Sequence, residues 1–446
     1  MIATRAKTAD GVTTRERLLT LAAGTGRDTR CRVGLLGFGT VGRAVARILC
    51  EGRFPQLHLV GVCTRRVAHA RANAPWVPAH VVWTDDAETL LKTGADVIVE
   101  VIGGIEPARA WIAGALQAGR SVVTANKQVV AEHGPALTAL ARHAGTALRY
   151  EAAVGGVVPV VRGLQDGLGG DHVTRIVGVL NGTCNFVLSE MAEHHVTLAQ
   201  AVSDAQARGL AEADPSADLD GLDARAKLAI LAALGFAGYL RPSDIPTESI
   251  RPVDGQDLDA AARLGCVVRQ VASAERATST AGVVTASVLP ALVSERSWLA
   301  RAKGPENVVL VTGDRSAQTV FAGQGAGGDA TAVAIVSDLL AIAAGVVAPK
   351  PWRGDARTTV VRDFDARHYV RIRASRGAAA ADPDSVFQRI GIRPEQTWID
   401  DDSEGTRWRA IVPSCSHQRL THALETLASA ALSSGSVSLP ILEAGQ

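Results

Sequence analysis

Residues 31–49 read CRVGLLGFGTVGRAVARIL. CRVGLLG is a short apolar run, the pattern of a strand buried on both faces, and TVGRAVARIL repeats its apolar residues at helical spacing. Between them stands Gly37-Phe38-Gly39-Thr40-Val41-Gly42, a G-x-G-x-x-G. In a chain with 44 glycines the motif alone says little, but its place between strand and helix says more. In that setting Gly37 permits the tight turn, Gly39 lets the backbone approach a pyrophosphate on the helix N-terminus, and Gly42 allows the helix to pack closely on the strand. A glycine-rich turn in a ligand-free α/β domain is the competing explanation.

Outward from this stretch, LHLVGVC (57–63), ADVIVEVIG (95–103) and RSVVTAN (120–126) read as further buried strands, with the helix PARAWIAGALQAG between the last two. Strands alternating with helices predict an α/β fold, a Rossmann-type doubly wound parallel sheet. A NAD site usually ends its second strand with an acid that holds the ribose 2′-hydroxyl. Here the strand ends VCTRR, placing Thr64, Arg65 and Arg66 there. A guanidinium suits a 2′-phosphate, so NADP(H) is expected, with Arg65 as its reader and Arg66 an ordinary surface charge. NAD(H) stays open as an alternative.

The chain has 446 residues, too many for one core. Near residue 151 the sequence turns to glycine-rich turns and longer helices, an α+β pattern. After KPWRGDARTTV (350–360) the order becomes βαββαβ, the ferredoxin-like arrangement. The expected division is a flexible tail at 1–30 and a dinucleotide-binding domain at 31–150, completed by 321–348. A substrate-binding and dimerisation domain at 151–320, a linker at 349–365 and a C-terminal module at 366–446 follow.

Hydrophobic residues are 47% of the chain and charged ones 20%, with net charge +1, which argues against nucleic-acid or membrane partners. The six cysteines are scattered without metal-ligand spacing, so reduced thiols and a cytoplasmic setting are expected. The N-terminus lacks the apolar segment of a signal peptide. The run TAVAIVSDLLAIAAGVVA (331–348) carries Asp338 and reads as a buried helix, one that can pack against the first domain.

A second stretch, DLDGLDARAKLAIL (218–231), places Lys227 among Ile230, Leu231 and Leu234. Asp223 is its i,i+4 neighbour on the same face. Burial would lower the amine's pKa and Asp223 would raise it again, which suits a lysine that handles protons. An exposed i,i+4 ion pair is the alternative. Upstream, AEADPSAD (211–218) clusters Glu212, Asp214 and Asp218, fitting either a substrate ammonium or a solvated acidic loop.

Taken in order, GFGTVG, ANK, YEAAVGGVVP, GVLNGTCNFVL, AEADPSADLDGLDARAKLAIL and GQGAGGDATA resemble homoserine dehydrogenases across roughly residues 31–345. That family reduces L-aspartate 4-semialdehyde to L-homoserine with NAD(P)H, a step of threonine, methionine and isoleucine biosynthesis. The resemblance implies Lys227 as proton donor and Lys127 as a second lysine near nicotinamide and substrate. It implies Glu212, Asp218 and Asp223 as substrate-binding acids. The loop Asn181-Gly182-Thr183 would line the nicotinamide pocket, and Thr183 would reach the substrate. Gly325 and Gly327 match a turn that closes over the cofactor. EAAVGGVVP resembles a monovalent-cation (sodium) site, with Glu151 giving a side-chain oxygen and Val154, Gly156 and Val158 giving carbonyls; an ion-free loop is the alternative.

The C-terminal unit resembles an ACT domain, which implies a threonine effector. Its turn reads RASRGAAAADPDS where Asp-x-Pro-Gly is usual, with Gly377 displaced from any proline, so a purely assembling role fits as well. A homodimer or homotetramer is implied. Two rival readings remain: another oxidoreductase of the same two-domain plan, and an inactive sensor of dinucleotide and amino acid.

Overall fold

The computed structural model describes residues 30–236, 238–277, 280, 282–346, 358–374, 383–389, 391–402, 405–429 and 433–442. The first layer is a parallel sheet of six strands: β1 (Cys31–Leu36), β2 (Leu57–Cys63), β3 (Val82–Thr84), β4 (Val97–Glu100), β5 (Ser121–Thr124) and β6 (Leu148–Arg149). Their order is β3-β2-β1-β4-β5-β6, and β4 and β5 are buried at every position. Apolar runs without alternation are what a sheet covered on both faces demands. The order reverses between β1 and β4, which opens a crevice at the carboxyl ends of those strands.

Helix α1 (Thr40–Cys50) follows β1, and α2 (Leu222–Phe236) is the helix that carries Lys227. Helix α3 (Gly328–Ala343) is the apolar run with Asp338. Its Ala332, Ile335 and Leu339 share a core with Val33, Leu35 and Val45, so it packs on the first layer. Eleven residues of α2 are buried, as expected of a helix apolar all round.

The second sheet starts with β7 (Val173–Val179), β8 (Cys266–Arg276), β9 (Val283–Ser294), β10 (Glu306–Gly313) and β11 (Ala317–Gln324). The C-terminal strands β13 (Asp365–Ala374), β14 (Gln396–Asp402), β15 (Gly405–Ser416) and β16 (Ser433–Leu442) lie in the order β16-β13-β15-β14, the ferredoxin-like arrangement. The module was expected beyond a linker, but the described structure joins it to the second sheet. Ile441 and Leu442 of β16 pair with Leu292 and Val293 of β9, making one sheet of ten strands. Part of the expected linker is strand β12 (Thr359–Val361), paired with Val283–Thr285 of β9. An open edge on so long a strand would invite stray pairing, and β12 and β16 cover its two ends.

A buried ion pair adds to this docking. Arg371 donates from Nε to Asp257 Oδ1 at 2.7 Å and from Nη2 to Oδ2 at 2.9 Å, while Tyr369 donates to Oδ1 at 3.0 Å. Residues 1–29 and the Gly377 turn lie outside the described residues. Among the described residues no helix is long and apolar enough to cross a membrane, and all six cysteines are free thiols.

Candidate active site

The glycine motif is built as its chemistry requires. Gly37 has φ +104°, a region that disfavours any side chain. A Cβ on Gly42 would lie 2.2 Å from the Gly37 carbonyl oxygen, so helix and turn touch directly. A Cβ on Gly39 would meet nothing within 4 Å, leaving open space above its backbone. No side chain caps the α1 N-terminus, so its N–H groups are available to an anion.

A cavity of about 580 Å³ opens here, bordered by Phe38, Gly39 and Thr40. Arg43, Arg47, Arg66 and His69 line it too, with Gly328 and Asp329 from the start of α3. Phe38 is buried edge-on against Trp83 at 4.9 Å, and Arg47 lies over Trp76 at 5.4 Å. Val41 is turned to the core of the first layer. Open backbone, free N–H groups and a basic wall fit a dinucleotide phosphate. Both Arg65 and Arg66 are exposed, and of the two Arg66 borders the cavity. Arg43 and Arg47 passed unnoticed in the sequence because they lie inside the helix that carries the motif.

Lys127 follows β5 at the same edge of the sheet. Asn126 caps its helix (Lys127–Ala144), with Oδ1 accepting from the Val129 N–H at 3.1 Å. From there the Lys127 ammonium pairs with Asp223 Oδ1 at 2.5 Å. Asp223 also pairs through Oδ2 with Lys227 at 2.7 Å, and this amine donates to the Leu180 carbonyl at 2.8 Å. Asp223 and Lys227 are buried, while the Lys127 side chain is partly open. Asn181 completes the cluster, donating to Asp218 at 2.6 Å and to Asp223 at 2.9 Å.

Burial on its own would raise the Asp223 carboxyl, but the ammoniums of Lys227 and Lys127 override it and hold the group well below the usual carboxylate range. Asp223 in turn raises the Lys127 amine against burial, with Asp218 and Glu212 adding to it. The Asp218 carboxyl is pushed up, first by burial and then by Asp223. Glu212 is exposed. The Thr183 hydroxyl donates to the Leu210 carbonyl at 2.8 Å, so its proton is already engaged. Asn307, unremarked in the sequence, donates to the Leu180 carbonyl at 2.7 Å; no local pattern marks it.

The Gly325 turn presses on the loop after β6. A Cβ on Gly156 would lie 2.7 Å from the Gln324 carbonyl oxygen. In this loop both Glu151 oxygens accept backbone N–H groups, from Val161 and Arg162, each at 2.9 Å. Burial first, and nearby Asp338 second, push the Glu151 carboxyl up to about 7. Among the described residues no group of three or more His, Cys, Asp or Glu side chains could hold a metal ion.

Family models for homoserine dehydrogenase match residues 159–340, and for the homoserine dehydrogenase NAD binding domain residues 37–151. A homoserine dehydrogenase of Synechocystis sp. is 41% identical over 317 residues, covering 70% of this chain and 73% of its own length. The crystal structure of a homoserine dehydrogenase from Thiobacillus denitrificans superposes with a TM-score of 0.82 at 29% identity, covering 93% of this chain and 98% of that one. A hyperthermophilic archaeal homoserine dehydrogenase, solved in complex with NADPH, has a TM-score of 0.62 at 25% identity, covering 72% and 100%. With the nucleotide cradle after β1, Lys127 after β5 reaching the Asp223–Lys227 pair of α2, and both family models matched in order, the chain belongs to the homoserine dehydrogenase family of NAD(P)-dependent oxidoreductases.

Proposed function

We propose that this chain interconverts L-aspartate 4-semialdehyde and L-homoserine with NADP(H), and that Lys227 is the proton donor to the aldehyde oxygen. The observation that carries this reading is the buried Lys227 ammonium. Two of its three N–H donors are taken by Asp223 and the Leu180 carbonyl, leaving one for a substrate oxygen. When bound, the reduced nicotinamide supplies the hydride to the carbonyl carbon. As negative charge grows on the oxygen, Lys227 hands it a proton and becomes a neutral amine, which solvent reprotonates. An arginine cannot do this, because its guanidinium keeps its protons.

The other residues bind and orient. Lys127 brings a second positive charge to the developing oxyanion. Asp223 holds both amines in place. Glu212 and Asp218 offer carboxylates to the substrate ammonium, and the Thr183 oxygen remains an acceptor. Arg66, with Arg43 and Arg47, replaces the absent acid at the end of β2 and supports a preference for the 2′-phosphate. Gly325 and Gly327 form the turn over the cofactor.

Glu151, with the carbonyls of Val154, Gly156 and Val158, would hold a sodium-like cation. A carboxyl pushed up by burial and by nearby Asp338, even with the Arg162 guanidinium 4.0 Å away, stands beside a carbonyl-rich loop, a setting that fits a hard monovalent ion. Its contribution would be to steady the loop against the Gly325 turn.

The deciding experiment replaces Lys227 with alanine and with arginine, then measures NADPH oxidation with aspartate semialdehyde. Both variants should lose turnover and keep NADPH binding; near-normal turnover in Lys227→Arg would overturn the proton-donor role. NADPH against NADH, with and without threonine, in the same assay tests cofactor preference and effector.

A further inference from the structure

The Leu180 carbonyl accepts two side-chain hydrogen bonds, from Lys227 Nζ at 2.8 Å and from Asn307 Nδ2 at 2.7 Å. The second has a simple structural origin. Strands β7 and β10 are antiparallel and their last registered pair at this end is Val179 with Val308. The next pair in sequence would be Leu180 with Asn307. There β7 ends and the chain turns into the helix Gly182–His194, so the ladder stops. The Asn307 amide supplies the donor that the ladder no longer does.

The Asn307 side chain is wholly buried. A carbonyl can only accept, so the amide orientation is set: Nδ2 faces Leu180 and Oδ1 faces the other way. In that direction lies Gly325, where a Cβ would come 1.6 Å from Oδ1. Oδ1 itself has no hydrogen-bond partner among the described residues. Burying a side-chain amide is costly unless its hydrogen bonds are made, and the one this amide makes is to the Leu180 carbonyl.

We propose that Asn307 is a positioning residue that fixes the Leu180 carbonyl, and through it the Lys227 ammonium, against the turn that closes over the cofactor. A lysine amine rides on a flexible four-carbon stem. With Leu180 pinned, Nζ is held between that oxygen and Asp223, and its remaining N–H has one direction. With Leu180 unpinned, only Asp223 constrains the amine, and the ion pair can rotate away from the substrate. The close fit of Oδ1 on Gly325 ties the same side chain to the cofactor turn, which makes Asn307 the part that registers proton donor and dinucleotide.

This inference rests on Lys227 as proton donor, and its test separates the two. Asn307→Leu keeps the branched shape at a larger volume and removes the donor; Asn307→Ser avoids the added bulk should the leucine variant not fold. Each is assayed for kcat, both KM values, the pH dependence of kcat and thermal midpoint, beside Lys227→Ala. Misplacing a reacting group slightly is enough to cost about tenfold or more in rate, so kcat should fall by that order while the NADPH KM stays within about threefold. The limb of the kcat pH profile set by the proton donor should shift. A folded variant with wild-type kcat and pH profile overturns the proposal, including one whose only change is a lower thermal midpoint. Turnover lost in Lys227→Ala but untouched in the Asn307 variants sinks the positioning role alone. Turnover kept in Lys227→Ala sinks the reading beneath it.

Discussion

Asp223 and Lys127 belong to different layers of the molecule, and a 2.5 Å ion pair joins them. Lys127 starts the helix after β5 of the parallel sheet, while Asp223 lies in the first turn of the helix that carries Lys227. One carboxylate therefore binds two amines, and the contact also holds the two layers in register at the site.

Removing that charge should be expensive. Asp223→Asn leaves two ammoniums without their shared partner, and breaking one side of a buried pair costs about 3–5 kcal/mol. Chemical denaturation should show a loss of that order, and NADPH oxidation should be nearly abolished. Stability within about 0.5 kcal/mol of the parent, the range of an ordinary surface substitution, would show that the pair carries no structural load.

The glycines of the cradle should divide by what surrounds them. Gly42→Ala forces a methyl to 2.2 Å from the Gly37 carbonyl, so helix and turn must move apart. Overpacking of this kind costs about 1–3 kcal/mol, visible as a lowered thermal midpoint. Gly39→Ala projects its methyl into open space, so the fold should stand and NADPH affinity alone should fall. Calorimetry and a fluorescence titration with NADPH distinguish the two cases.

Cofactor preference should follow the cavity wall. Arg66 lines it and Arg65 does not. A charged hydrogen bond is worth about 1.5–3 kcal/mol, so Arg66→Ser should raise the NADPH KM by roughly tenfold or more and barely touch that for NADH. Arg65→Ser should leave both unchanged. Equal effects of the two substitutions would show that lining the cavity does not decide the preference.

The pH dependence of stability tests the cation. The Glu151 carboxyl, at an ordinary 4.5 in an unfolded chain, is raised to about 7 in the fold by burial and then by Asp338. The folded protein therefore holds this proton more tightly. The stability it contributes is fully present below 4.5 and is lost as pH rises through about 7. A cation bound to the ionised carboxylate offsets that loss. Thermal midpoints in choline chloride should fall across this interval more steeply than in sodium chloride at equal ionic strength. Superimposable curves would argue against a cation there.

The C-terminal module should loosen when its anchor is cut. Asp257→Ala removes the bidentate partner of the buried Arg371 guanidinium and leaves it Asp254 at 3.5 Å and the Pro252 carbonyl, with an expected penalty of up to about 3–5 kcal/mol. Limited proteolysis should then release fragments near the 359–365 segment, and calorimetry should show a separate, earlier transition. An unchanged single transition would show that the β9–β16 pairing suffices.

The short-range patterns were legible. CRVGLLGFGTVG placed the first strand, the turn and the helix, because a buried parallel strand and a phosphate turn are written in consecutive residues. DARAKLAIL showed a lysine one helical turn from an aspartate, because i,i+4 spacing is a local property; that the pair is buried rather than exposed came from the fold. Six motifs in order were enough to identify the family, and the C-terminal succession βαββαβ could be read from the sequence, while the order of its strands in the sheet came from the structure.

What the tertiary structure decided depends on residues far apart in the chain. Lys127 meets Asp223 only after two layers pack. Arg66 rather than Arg65 faces the cavity because the chain direction after β2 chooses, and adjacent arginines look alike in sequence. Asn307 reaches Leu180 because two antiparallel strands end side by side. The second sheet runs on into the C-terminal module because β9 offers an edge whose partners come from beyond residue 358. Local spacing encodes torsion and face; which faces and edges meet is settled by the burial and hydrogen-bond demands of the whole chain at once.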